Sequence, residues 1–251
     1  MKFKKYILSW SLMFVSVAAF AGVGQWRTHF AYNSVQVIAN CPEEIYALAN
    51  GAIFSINKMT ENMTLYNNRS GLHGTNVCFL MYDEEREQLL IMYSDGKMDI
   101  QYNGTMHYIS DLYNKRMTSS KKCNNITIHG KFAYLSMDFG ILVFDLEKHE
   151  FKETYYIGEE ASEVQVTDVM FYGDSIYART KSKNYSACIY DNVVDYHFWS
   201  TCPVLPCPFD TKKGKEYTMP DGDLWKVAGA QGAYRKFVTG EEAYYLPDGP
   251  Y

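Results

Sequence analysis

The stretch FAYLSMDFGILVFDLEKHEFKETYYIG, residues 132–158, decides the fold. Two apolar runs, 132–137 and 141–144, flank a turn that contains Gly140, and a third extended run, 151–157, follows a charged turn. Short runs rich in Tyr, Phe, Val and Ile, separated by glycine or by charge, are typical of antiparallel strands. The stretch therefore predicts consecutive strands of a meander.

The same pattern recurs along the chain. Hairpin turns with glycine occur at Gly51, Gly96, Gly140 and Gly232, and the gaps between them are 45, 44 and 92 residues. The last gap is close to two periods, and the missing turn falls at residues 183–186, between two apolar runs and without a glycine. A period of about 45 residues is that of one propeller blade. We therefore predict an all-β fold, a β-propeller of four-stranded blades with about five blades.

The propeller is assigned to one domain, residues 22–251. Its five blades are assigned to residues 26–72, 75–122, 124–163, 164–209 and 210–251. The last unit is the weakest, because Pro220-Asp221-Gly222 follows its expected first strand and its apolar content is low. Neither end of the chain offers a strand that would join the first blade to the last. We therefore expect an incomplete propeller, from a fragment or a truncated gene product.

Residues 1–21 have the features of a signal peptide. Lysines precede an apolar stretch at 6–20, and Ala19-Phe20-Ala21 matches an A-x-A cleavage signal. Cleavage is expected between Ala21 and Gly22. No later segment reaches the roughly 18 apolar residues of a membrane helix, so no membrane span is expected after cleavage. The protein is therefore predicted to be exported, to the periplasm or to the cell surface.

Six cysteines, an even number, permit disulfides in an exported protein. Cys202 and Cys207 enclose Pro-Val-Leu-Pro and are a candidate pair for a small closed loop. Cys78 and Cys188 lie inside apolar runs and are expected to be buried thiols. A zinc site would need two close pairs of ligands, and only one widely spaced pair is present. The sequence therefore predicts neither a metal site nor a cofactor.

Composition and motifs indicate a binding protein rather than an enzyme. The net charge is −5 and no basic stripe carries interleaved aromatics, so nucleic-acid binding is not expected. Nucleophile, metalloprotease and nucleotide motifs are missing from the sequence. A propeller lyase or glycosidase would need carboxylates or histidines that converge on the axis, and the innermost strands offer little beyond His129 and Asp168.

Two groups of side chains have competing interpretations. Aromatic residues could stack on sugar rings, but packing between blades is the favoured interpretation for Trp199, Tyr155, Tyr156, Tyr244 and Tyr245. Two acidic clusters could serve acid–base chemistry but are interpreted as solvated: Asp83-Glu84-Glu85 in a turn, and Glu159-Glu160 with Glu163 on a loop.

Several segments, taken in order, resemble one family. They are Trp26-Arg27 with Tyr32-Asn33-Ser34-Val35, IYALANGAIFSIN (45–57), LLIMYSDGKMDI (89–100) and, most densely, residues 124–158. The series resembles the N-terminal β-propeller of PorZ-like proteins, surface components of the type IX secretion system of Bacteroidota. The resemblance covers roughly residues 24–200 and fades after Cys202. Related repeats also occur in the periplasmic sensor halves of hybrid two-component proteins.

The resemblance implies a non-enzymatic interaction module. Its expected partners are proteins of a secretion and attachment complex, among them a sortase-like protein that attaches cargo to anionic lipopolysaccharide, and the glycan of that lipopolysaccharide. The second propeller and the C-terminal sorting domain of the family have no counterpart in this sequence. The alternative function is that of a periplasmic sensor propeller in a hybrid two-component system.

Overall fold

The computed structural model describes residues 32–247. They form five four-stranded antiparallel sheets, and within each sheet consecutive strands pair as a meander. We call these sheets blades 1 to 5. The predicted signal peptide, residues 1–21, and its cleavage between Ala21 and Gly22 lie outside the described residues and stay predictions.

The strands are numbered in chain order. Blade 1 contains β1 (Val35–Asn40), β2 (Glu44–Ala49), β3 (Ala52–Asn57) and β4 (Met63–Tyr66). Blade 2 contains β5 (Val77–Asp83), β6 (Gln88–Tyr93), β7 (Met98–Tyr102) and β8 (Thr105–Ile109). Blade 3 contains β9 (Cys123–His129), β10 (Phe132–Met137), β11 (Gly140–Asp145) and β12 (Glu150–Tyr155). Blade 4 contains β13 (Val166–Tyr172), β14 (Ser175–Thr180), β15 (Asn184–Cys188) and β16 (Ser200–Thr201). Blade 5 contains β17 (Glu216–Thr218), β18 (Leu224–Val227), β19 (Ala233–Lys236) and β20 (Glu242–Tyr245).

Little helix connects these strands. The α-helix α1 (Asp111–Asn114) follows blade 2, and short 3-10 turns lie at Asn68–Ser70, Glu159–Ala161 and Tyr196–Phe198. The predicted all-β propeller fold is thereby confirmed.

Burial along the strands explains why the blades stack. Every residue of β6 and of β11 is buried, on both faces of the sheet. The outer strand β4 is largely exposed. A strand that is apolar on both faces needs a layer on each side, so the middle strands of a blade require neighbouring blades.

Two hairpin turns illustrate how the repeat is built. Asn50 and Gly51 both have positive φ, 47° and 82°, as a type I′ turn requires. The turn in blade 4 differs from the prediction, because Asn184 already belongs to β15. There the Thr180 hydroxyl donates to the carbonyl of Lys183 at 2.6 Å and accepts from its amide at 3.1 Å. A side-chain cap thus organises a turn that lacks glycine.

The order of the blades in space is 5-1-2-3-4. One buried apolar cluster joins blades 1, 2 and 3, and another joins blades 3 and 4. A third joins blade 5 to blade 1, with Trp225 and Tyr245 on one side and Phe54 and Ile56 on the other. Within residues 32–247, no such cluster joins blade 4 to blade 5. The ring is open between these blades, and the prediction of an incomplete propeller is confirmed.

The chain reaches blade 5 by crossing the innermost strands. The Lys213 ammonium donates to Thr127 of β9 at 2.6 Å and pairs with Asp168 of β13 at 3.2 Å. The Gly214 carbonyl accepts from the amide of Ile38 in β1 at 2.7 Å. A Cβ on Gly214 would lie 3.2 Å from a methyl group of Val37, and its φ is 69°. The crossing segment, residues 210–215, therefore requires a small residue at this point.

An arginine fastens blade 5 to blade 1. The Arg235 guanidinium pairs with Asp223 at 2.6 Å and donates to the carbonyl of Lys58, in the β3–β4 turn, at 2.9 Å. Both partners of the pair are nearly buried, with 11% and 5% of their side chains exposed. Glu61 of the same turn lies 3.7 Å away.

We expect Arg235→Met to lower the free energy of unfolding by about 3 kcal/mol, because it leaves Asp223 buried without its cation. Urea unfolding monitored by tryptophan fluorescence measures the change, since Trp225 lies beneath the guanidinium. Lys236→Met, at an exposed position of the same strand, is the control. Equal stability of the two variants would contradict this anchoring role.

Candidate binding clefts between the blades

Two clefts open between neighbouring blades, and the same positions of the repeat line both. These positions are the third residue of the second strand, the last residue of the fourth strand and the sixth residue of the next blade's first strand. We call the first cleft cleft 1/2, and in it these positions hold Tyr46, Tyr66 and Tyr82. We call the second cleft 3/4, and in it they hold Tyr134, Tyr155 and Phe171. Three aromatic residues at equivalent positions make the two clefts internal counterparts.

The interface between blades 2 and 3 lacks this aromatic set. The equivalent residues there are Leu90, Ile109 and Ile128, and the first two are buried in the shared core. Polar contacts reinforce this interface. The buried Gln88 amide donates to Asp83 and to the carbonyl of Leu146, each at 3.1 Å.

The Gln88 carbonyl oxygen also meets the His149 Nε2 at 2.8 Å. Because this oxygen can only accept, the neutral His149 ring must carry its proton on Nε2. Burial lowers the pKa of His149, the nearby His107 lowers it further, and Asp145 opposes them. The interface is therefore built for a neutral imidazole.

Cleft 3/4 has an aromatic wall and a charged rim. Its volume is about 360 Å³. The Tyr134 ring meets Phe171 edge-on at 4.8 Å and lies 6.5 Å from Tyr155. At the rim, Lys152 pairs with Glu153 at 3.4 Å. Asp191, Asn192 and Phe132 complete the polar and apolar lining.

The phenols of this cleft stay neutral. Burial raises the pKa of Tyr134, and burial together with the nearby Glu153 raises that of Tyr155. The Tyr155 hydroxyl donates to the Glu153 carboxylate at 2.9 Å. Apolar ring faces beside a cation, carboxylates and an amide suit a polyhydroxylated ligand such as a sugar, which has both an apolar face and hydrogen-bonding groups.

Cleft 1/2 has the same aromatic plan but an acidic rim. Its volume is about 570 Å³, and Glu43, Glu44 and Glu87 line it. The hydroxyls of Tyr46 and Tyr66 lie 3.2 Å apart, and Tyr66 donates to Glu44 at 3.4 Å. This concentration of carboxylates disfavours an anionic ligand.

The innermost candidates for chemistry, His129 and Asp168, line one cavity together with Asp210 and Lys213. Asp168 is buried and pairs with Lys213 at 3.2 Å and with Arg179 at 3.3 Å. Burial raises its pKa, which the two cations oppose. His129 stacks on Phe171 with ring centres 4.0 Å apart. Both residues contribute to the packing around cleft 3/4 and the axis, and they share no hydrogen bond in the described structure.

Most of the candidate sugar-stacking aromatics pack between blades. Trp199, Tyr155 and Tyr245 are buried, whereas Tyr244 is 49% exposed. The interpretation of Asp83 as part of a solvated turn was wrong. Its carboxylate is buried and accepts from Gln88 and from Arg86, at 3.1 and 3.3 Å.

The two cysteines of the predicted small loop are free thiols in this structure. The Cys202 thiol donates to the carbonyl of Val204 at 3.0 Å, and the Cys207 sulfur lies 3.9 Å from that of Met170. Their pairing stays a prediction.

Two other features are absent from the described part of the chain. No three His, Cys, Asp or Glu side chains within residues 32–247 are grouped as metal ligands would be. None of the helices in that range has the length and apolarity needed to cross a membrane.

Apart from Tyr155, the aromatic positions of the clefts were missed, because each lies inside an ordinary strand sequence. A signal was present in the repeat. Aligning the strands of blades 1 and 3 places Tyr46 opposite Tyr134 and Tyr66 opposite Tyr155. The charged residues of each rim lie in strands and turns where the repeat imposes no apolar pattern, so the charge of the rim follows only from the structure.

The fold and its interblade clefts define a β-propeller of four-stranded blades. The family model of the PorZ N-terminal β-propeller domain of the type IX secretion system matches residues 45–200, more than half of the chain. The chain therefore belongs to this family.

Solved structures of two proteins are similar to this chain. PorZ of Porphyromonas gingivalis, described as an essential bacterial surface component of that system, is 25% identical with a TM-score of 0.63. The match covers 88% of this chain and 29% of PorZ. The extracellular domain of BT4673, a putative hybrid two-component system of B. thetaiotaomicron, is 11% identical with a TM-score of 0.54, over 80% of this chain and 27% of that one. This second likeness concerns the fold alone. No curated protein sequence matches the chain.

We expect His149→Gln to flatten the pH dependence of stability below about pH 6.5. A histidine whose pKa is lowered by folding binds fewer protons in the folded state than in the unfolded state. Its contribution to stability is therefore present above about pH 6.5 and is lost as the pH falls below that value. Urea unfolding at several pH values measures the slope. His197→Gln, at a largely exposed histidine, is the control, and an unchanged slope in the His149 variant would contradict the assignment.

Proposed function

We propose that this protein is a non-enzymatic, exported interaction module of a type IX secretion system. The observation that carries the proposal is the family match over residues 45–200, which includes all strands of blades 2 and 3 and most of those of blades 1 and 4. Because the chain spans only 29% of PorZ, the role of the whole PorZ protein comes to it only as part of this proposal.

Within that system, the module contacts proteins of the cargo-attachment complex and helps to present anionic lipopolysaccharide to a sortase-like partner. Cleft 3/4 is its glycan-binding site. Support comes from the aromatic wall, from the Lys152 ammonium at the rim and from the hydrogen-bonding groups of Asp191 and Asn192. Lys152 is the one cation among the described residues that line this cleft, beside Glu153 and Asp191, and in the proposal it contacts the anionic groups. The ring of Phe171 stacks on His129 with one face and offers the other face to a sugar.

The alternative is a sensor propeller of a hybrid two-component system. Its support is a likeness in fold to the BT4673 domain at 11% identity. The family match favours the secretion module, which we therefore prefer.

The test is binding of purified mature chain to lipopolysaccharide with an anionic polysaccharide, and to lipopolysaccharide with a neutral one, by isothermal titration calorimetry. We expect affinity in the micromolar range for the anionic form and about tenfold weaker binding after Phe171→Leu, because the stacking surface is lost. The difference in affinity between the anionic and the neutral lipopolysaccharide should shrink at high salt, since screening weakens the contribution of Lys152.

The internal repeat supplies a matched control. Tyr82→Leu changes the equivalent aromatic in cleft 1/2, whose acidic rim disfavours the anionic glycan, and should leave the affinity unchanged. Thermal unfolding of both variants verifies that the fold is retained. Equal binding to the two lipopolysaccharides, or equal losses in the two variants, would refute the assignment of cleft 3/4.

A further inference from the structure

Two cysteines from different blades meet at the closed interface between blades 2 and 3. Cys78 is the second residue of β5, at the point where the register with β6 shifts between Val77 and Phe79. Cys123 is the first residue of β9, the innermost strand of the next blade. The strands β5 and β9 contact each other directly.

The repeat explains why these two positions touch. In blade 3 the second residue of the innermost strand is Asn124, and its amide donates to the carbonyl of Val166, the first residue of β13, at 2.9 Å. Cys78 and Cys123 occupy the same two positions one blade earlier. The two cysteines are near enough for each to influence the pKa of the other's thiol.

Because the side chain at the second position of β9 reaches the first residue of the next blade, we expect the Cys78 side chain to reach Cys123 in the same way, so that side-chain rotation can join the two sulfurs. Cys123 is fully buried and Cys78 packs against the same apolar cluster. Both are free thiols in this structure, and the Cys123 thiol donates to the carbonyl of Asn125 at 3.2 Å.

We propose that Cys78 and Cys123 form a disulfide bond that links blade 2 covalently to blade 3. With glutathione disulfide as oxidant, the Cys78 thiolate attacks one sulfur and releases one glutathione thiolate, giving a mixed disulfide. The Cys123 thiolate then attacks the Cys78 sulfur and releases the second. The two protons of the protein thiols end on two molecules of glutathione, which receive the two electrons.

Burial makes this reaction slow in the folded protein. It raises the pKa of Cys78 to about 11, with Lys122 lowering and Asp138 raising it, and the pKa of Cys123 is raised as well. The thiolate is the reacting form, so oxidation proceeds faster at about pH 9 than at neutral pH, or during folding before the blades close.

Peptide mapping tests the proposal. The full chain is oxidised with glutathione disulfide at about pH 9, both folded and during refolding from urea, then alkylated and digested with trypsin. The expected product is a linked pair of peptides, residues 70–86 with 123–131, each of which contains a single cysteine. Reduction should separate them.

The variant Cys202→Ser/Cys207→Ser is the control and should give the same linked pair, whereas Cys78→Ser should abolish it. Oxidised wild-type protein should unfold roughly 5–10 °C higher than reduced protein, because the bond closes a long loop of the unfolded chain. Absence of the linked pair under both oxidation conditions, or pairing of Cys78 with a different cysteine, would overturn the proposal.

Discussion

The structure depends on one constraint, the burial of both faces of the middle strands of a blade. Strands such as β6 and β11 are apolar on each side, so no blade can satisfy its own hydrophobic surface. Each therefore needs two neighbours, and a row of five blades leaves two outer faces. The chain covers the outer face of blade 4 with its own linker, where Phe209 lies under the Arg179 guanidinium at 4.7 Å. The outer face of blade 5 carries exposed Lys226, Lys236 and Glu242, so it needs less cover.

The same stacking produces the clefts. Where the three equivalent positions are aliphatic, as between blades 2 and 3, the side chains pack into the common core. Where they are aromatic, large rings hold the edges of adjacent blades apart and leave a walled space. The rims then acquire their character from the outer strands and the turns. Lys152 and Glu153 lie on a fourth strand and Glu43 in a turn, where the repeat imposes no apolar pattern. One scaffold thus supports two clefts with different electrostatic preferences.

Sequence reasoning predicted the repeat, the strands and the open propeller, because turn residues and apolar runs carry a period. It failed where a contact joins distant repeats. The burial of Asp83 follows from Gln88, which itself bonds to Leu146 of the next blade. The packing of blade 5 on blade 1 could not be predicted either, because the sequence period gives the number of blades but not which blade faces contact each other. The crossing at Lys213 and Gly214 lies in a linker with no repeat signal at all. For the clefts, an alignment of the repeats would have revealed the aromatic sets but not the charges beside them.

The open side of the ring has a consequence for how such chains change in length. Every junction from blade 5 through blade 1 to blade 4 is sealed by a shared apolar cluster, so adding or deleting a repeat there would cut an existing interface. Between blades 4 and 5 the described residues share no such cluster. An additional repeat at this joint would leave the three apolar clusters intact. It would instead replace the contacts of the crossing segment, residues 210–215, with β1, β9 and β13.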